Sequence, residues 1–200
     1  MNKTLHTLFV GAALLLAASA QATPLLNSTG LSGTVTHENF NVNAGANTAA
    51  AGQFGNITFG PGDYISNDYA GSFANMNGSV IANFYPCCTA STSFTFNAPV
   101  SDVAFAFVTN PGTSMFSAYL GSTLVETFTA ATGYSGTYYG FENTVFDTVR
   151  IDTSGAGSNM AYILDDMQYR AAADVPEPAS LALVGLGLAG VLVARRRQRG

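Results

Sequence analysis

Ser93-Phe94-Thr95-Phe96-Asn97-Ala98-Pro99, followed by Val103-Ala104-Phe105-Ala106-Phe107-Val108, decides how this chain is read. Phe94 and Phe96 fall on one side of an extended chain, and Ser93 and Thr95 on the other. After Asn97-Ala98-Pro99, which reads as a turn, Val103, Phe105 and Phe107 share one side while Ala104, Ala106 and Val108 share the opposite side. A period of two marks a strand, because successive side chains leave a pleated backbone on alternate faces. The first segment has one polar face and reads as half-buried. The second is apolar on both faces, with small residues behind large ones, so packing on both faces is expected.

The same period recurs to either side. Met115–Leu120 and Thr123–Thr129 flank Gly121-Ser122, a hairpin turn. Tyr138–Phe141, Thr148–Asp152 and Tyr162–Tyr169 continue the pattern. Earlier strands are expected at Gly33–Val42, Asn56–Phe59, Asp63–Ser66 and Ser79–Tyr85. Clusters of Gly, Asn, Ser and Pro separate them, and no stretch of the body carries a helical period. Many short strands with frequent turn signals predict an all-β fold, an antiparallel β-sandwich or jelly roll. Ala44–Gly55 is small and polar and reads as a loop.

Both ends read as addresses. Lys3 precedes an apolar run, Leu8–Ala18, and then small-x-small sites at Ala18-Ser19-Ala20 and Ala20-Gln21-Ala22. This is the layout of a secretory signal peptide over 1–22, cut after Ala22 or Ala20 by signal peptidase. At the other end, Ala171–Asp174 is a short spacer. Val175-Pro176-Glu177-Pro178-Ala179-Ser180 then precedes an apolar run, Leu181–Ala194, and a basic tail with Arg195, Arg196, Arg197 and Arg199. As a helix the run spans roughly 21–24 Å, short of a hydrocarbon core of about 30 Å, and arginine stems can snorkel to make up part of the difference. The prolines set its boundary. The run reads as a single transmembrane helix with its arginines in the cytoplasm and the body outside. The predicted organisation is therefore 1–22 leader, 23–170 β-sandwich domain and 171–200 spacer plus sorting signal.

Polar motif, apolar span and basic stop, in that order at the C-terminus, resemble the PEP-CTERM sorting signal of Gram-negative bacteria. The resemblance covers Val175 to Arg199. It implies recognition of Pro176, Glu177 and Pro178 by an exosortase, a membrane-embedded cysteine transpeptidase that removes the tail. It also implies an inner-membrane precursor and a mature form at the envelope surface or in the extracellular matrix. An LPxTG sortase motif is absent, and a GPI signal has no basic stop.

Between the addresses lie eleven acids against Arg150 and Arg170, a formal charge of −9, with no lysine. That balance argues against nucleic acid, which needs clustered positive charge. Catalytic signals are lacking. His37 is the one histidine left after the leader, and no HExxH, GxSxG, P-loop or dinucleotide fingerprint occurs. The chain is therefore expected not to be an enzyme, and no organic cofactor is implied.

Three local features remain. Cys87-Cys88 holds both cysteines of the chain, and an exported context favours a vicinal disulfide over free thiols, intermolecular bridges or a soft-metal site. In Tyr162–Tyr169, alternation puts Asp165 with Ile163, Met167 and Tyr169; an acid on a core face needs a partner or a cation. The ending is similar to the last strand of jelly-roll adhesive and carbohydrate-binding domains, where an acid helps hold calcium. Asp165 with Glu38 and Asn39 is thus the candidate calcium site; the alternative is an Asp165 hydrogen-bonded to backbone at a strand bulge, or facing water. Tyr134, Tyr138, Tyr139 and Phe141 are core volume first, and exposed tyrosines can stack on sugars. The expected role is structural or adhesive, in a surface or biofilm matrix with extracellular polysaccharide as a partner. The alternative is a carbohydrate-binding, lectin-like module that uses calcium.

Overall fold

Residues 91–109 form one continuous strand rather than two strands joined by a turn. The structure, a computed structural model, describes residues 23–42, 47–84, 88–157 and 160–173. Its strands are β1 (Thr23–Asn27), β2 (Thr36–Glu38), β3 (Thr48–Ala49), β4 (Ile57–Phe59), β5 (Tyr64–Ser66), β6 (Val80–Ala82), β7 (Ser91–Thr109), β8 (Gly112–Leu120), β9 (Thr123–Thr132), β10 (Thr137–Glu142), β11 (Phe146–Ala156) and β12 (Tyr162–Ala171). No helix occurs among the described residues. The leader and the expected membrane helix lie outside them, and within them no helix is long and apolar enough to cross a membrane.

The sheet is antiparallel and runs β3-β5-β6-β12-β7-β11-β8-β9, with β10 and β4 also on β7, β1 on β10 and β2 on β12. β7 changes partners half-way. Its first half pairs with β4 and β11, its second with β10 and β12. Asn97-Ala98-Pro99 marks that change, and so the expected turn is a handover instead. Val100 stands opposite both Phe146 and Ala171. Pro99 cannot donate to a ladder, but it sits where the register with β11 breaks, and its carbonyl accepts from Ala172 N at 3.0 Å. Asn97 N donates to Asn56 O at 3.0 Å, which keeps the polar bend attached.

The second half of β7 packs on both faces. Val103, Phe105 and Phe107 enter one buried cluster, Ala104, Ala106 and Val108 another. The first cluster is aromatic and crosses between strands that share no ladder. Phe116 on β8 lies 4.9 Å from Tyr139 on β10 with rings 12° apart, and Phe128 on β9 meets Phe141 edge-on at 5.2 Å. The second cluster is roofed by Leu25, Leu31 and Met76 from the N-terminal segment and the β5–β6 connection.

The β8–β9 hairpin forms as read, with Gly121 at φ 59 supplying the left-handed turn residue. The stretch 33–42 pairs only over β2, because Phe40 leaves the strand at φ 54 and buries completely in the aromatic cluster. β1 and β3 were not expected. β1 follows directly on the leader's expected cut and pairs with β10, and β3 interrupts the stretch read as a loop.

Candidate functional site

β12 carries the acids singled out by sequence, and its register decides where they point. Asp165 pairs with Ala106, whereas Gln168 pairs with Ala104, so β12 spends one residue more than β7 across this step. The extra residue is absorbed at Asp166, with φ 41. A bulge reverses the alternation beyond it. Ile163 and Asp165 therefore face the second cluster, while Met167 and Tyr169 face the aromatic one. The expectation that all four share a face is corrected by that single inserted residue.

The bulge gathers a polar knot on the second face. Asp165 is fully buried, and its Oδ2 accepts from Asn77 N at 2.7 Å. Its Oδ1 is buried without a hydrogen-bond partner. Burial, the largest influence, pushes Asp165 up to about 7, with the Asn77 and Asp166 amides opposing and the Asp166 charge assisting. Asp166 turns outward, where Oδ1 lies 3.3 Å from His37 Nδ1 and Oδ2 accepts from the Tyr138 hydroxyl. Tyr138 pairs with Ala106 from the far side of β7. Only a small side chain at Ala106 lets the phenol reach across to β12. Gln168 is buried, and its Oε1 accepts from Leu31 N at 2.8 Å. Gly30, at φ 77, is needed there because a Cβ would strike the Gln168 amide.

Glu38 and Asn39 are not brought to Asp165. Glu38 stands opposite Met167, on the other face, and its Oε1 accepts from Phe40 N at 3.3 Å; Asn39 Oδ1 accepts from Asn41 N at 3.2 Å. His37, opposite Gln168, is the β2 residue that meets the acids. Among the described residues no group of three or more His, Cys, Asp or Glu side chains gathers in metal-holding geometry. Sequence reasoning did not connect Asn77, Tyr138 or Gln168 with the acids of β12. Their one signal was the pair of alanines, Ala104 and Ala106, that leaves room over β7.

A second buried acid went unnoticed. Asp63 accepts from the Tyr162 hydroxyl and from Thr92 Oγ1, and burial pushes it up to about 6 against those bonds. Asp102 is the opposite case: Asn143 N, Ser101 and Arg170 outweigh desolvation and hold it below its ordinary value. Cys88 is half-buried and disulfide-bonded, while Cys87 lies outside the described residues. Of the four aromatics, Tyr138, Tyr139 and Phe141 are buried and Tyr134 is exposed.

β12 ends at Ala171, and the described chain ends two residues on. Val175, Pro176, Glu177, Pro178, Arg195, Arg196, Arg197 and Arg199 lie beyond it. A family model of the PEP-CTERM protein-sorting motif matches residues 174–197. The chain carries a PEP-CTERM sorting signal. The PEP-CTERM match starts at 174, three residues after the end of β12 at Ala171. The signal implies processing by an exosortase and marks an exported, membrane-processed protein that reaches the cell surface. PEP-CTERM proteins are typically non-catalytic. The match concerns the tail alone, and no curated protein matches the chain.

Proposed function

We propose that the chain is an exported surface or extracellular-matrix protein with a structural or adhesive, non-catalytic role, built as a β-sandwich and delivered by exosortase processing. The PEP-CTERM match carries the reading. The body is consistent with it. Its acids outnumber its bases eleven to two, which favours solubility outside the cell. The handover in β7 and the ring contacts between unpaired strands support two facing sheets. Leu8–Ala18 would act as the signal-peptide core, Leu181–Ala194 would hold Pro176-Glu177-Pro178 at membrane depth, and the arginines would stop transfer. Cys87 and Cys88 would close the vicinal disulfide, and no other thiol is left in the chain to exchange with it.

Intact mass of the protein from its producing cells tests the reading. Loss of both 1–22 and the tail beyond the PEP motif is expected. Replacing Pro176, Glu177 and Pro178 together by alanine should leave the tail in place. Normal trimming of that variant would refute the sorting role of the motif.

A further inference from the structure

Four aromatic rings wall a cleft beside the second cluster. Tyr134 and Phe73 lie 5.9 Å apart with planes 15° apart; Phe73 and Tyr69 lie 6.1 Å apart at 24°; Tyr69 and Phe84 lie 5.2 Å apart at 60°. Rings in face contact approach to about 3.5 Å, so near-parallel rings with centroids this far apart are slipped sideways. Tyr134 remains 55% exposed and Tyr69 36%. Val108 and Ile163 form the floor, and the cavity measures about 480 Å³. That volume falls within the roughly 300–1,000 Å³ typical of small-ligand sites.

The rim is polar and uncharged. The Tyr134 hydroxyl donates to Asn110 Oδ1 at 2.8 Å, and the two amide N–H donors of Asn110 are bonded to no described residue. Thr109, buried beside Asn110, is satisfied within the fold, its hydroxyl donating to Ala161 O at 2.6 Å. No acidic or basic side chain lines the cleft among the described residues. The ligand that matches must therefore present an apolar face to rings and a hydroxyl edge to an amide, without net charge. An acyl chain has no use for the amide. An anionic ligand finds no cation here and meets an acidic body.

We propose that this cleft binds a neutral saccharide, with pyranose faces stacked on the exposed rings of Tyr134 and Tyr69, which Phe73 holds in place, and ring hydroxyls met by Asn110. The proposal deepens the matrix reading above and rests on it only for where the glycan is encountered. It gives the sugar stacking that the sequence suggests for exposed tyrosines a definite cleft, and it uses neither the acids of β12 nor a metal ion.

The test is calorimetric titration of the mature protein, purified from producing cells, with soluble β-glucan, mannan and chitin hexasaccharides. Oligogalacturonate serves as the anionic counterpart and anilinonaphthalene sulfonate as the apolar probe. Saturable binding of at least one neutral hexasaccharide is expected, with oligogalacturonate unbound. Tyr134→Ala should weaken it by about tenfold, as befits loss of one aromatic stacking surface, while Tyr134→Phe should retain most of it. Tyr134 is 55% exposed, so both variants should fold, and their melting curves report whether any loss of binding comes from unfolding. Binding of none of the three neutral glycans, binding unchanged in Tyr134→Ala, or binding of the dye alone would each overturn the proposal. Intact mass of the same preparation reports processing separately. A correctly trimmed protein that binds no glycan removes this site and leaves the sorting reading standing.

Discussion

Between pH 4 and pH 7 the folded chain holds a proton on Asp165 that the unfolded chain releases, because burial lifts this carboxyl from 3.8 to about 7. A raised carboxylate is stabilising in its neutral form. Its contribution is complete below the unfolded value and is lost as pH rises through the folded one. Substituting Asp165→Asn removes the titration, so the fall in melting temperature between pH 4 and pH 8 should become shallower; an unchanged slope would show that Asp165 is not the group responsible. Tyr138 and Asp166 form the outward half of the same knot. Tyr138→Phe deletes a hydrogen bond to a charged acceptor and should cost about 1.5–3 kcal/mol in urea titration. This knot was only half legible. Asp165 invited suspicion as an acid among apolar neighbours, but the partners that engage it lie far away in sequence. Nothing marks Asn77 as a backbone donor, and Glu38 and Asn39 read as the candidates for approach until register brought His37 instead.

β12 shows why strand patterns mislead at a bulge. Ile163, Asp165, Met167 and Tyr169 alternate without a flaw in the sequence, yet the residue inserted at Asp166 splits them between two faces. Asp tolerates the left-handed backbone, so its presence there raises no alarm. β7 was legible where its alternation is strong and misread at Asn97-Ala98-Pro99, since composition cannot distinguish a reversal from a strand that exchanges partners. The β8–β9 hairpin, short-range and carried by Gly121, was read correctly. β3 escaped because two paired residues leave no period to read. Close approach is tightest at Gly140, between Leu25 and Ala104, where a Cβ would overlap the Val103 carbonyl. Gly140→Ala should force β10 from β7 and lower stability by about 2–3 kcal/mol, read as an earlier denaturant midpoint.

At the scale of the molecule the buried acids act together. Asp63 and Asp165 both favour the protonated state, with values of about 6 and about 7. Asp102, held below its ordinary value, has the opposite sign and withdraws its support only as pH falls through its lowered value. Stability should therefore be greater near pH 4.5 than near pH 8, which a melting series across that interval would measure; a maximum near pH 8 would contradict the assignment of neutral carboxyls. Charge points the same way, since protonating exposed acids relieves the self-repulsion of a body whose acids outnumber its bases eleven to two.

The last strand before the sorting signal is an interior one, flanked by β7 along one side and by β6 and β2 along the other. Chain emergence is vectorial, and this strand emerges last. Until it clears the export pore, its neighbours expose two raw borders with nothing to hold them in register. If the chain is exported N-terminus first, as its sorting signal implies, a nascent chain that stalls before Tyr162 would be left with an open seam prone to clumping with its siblings.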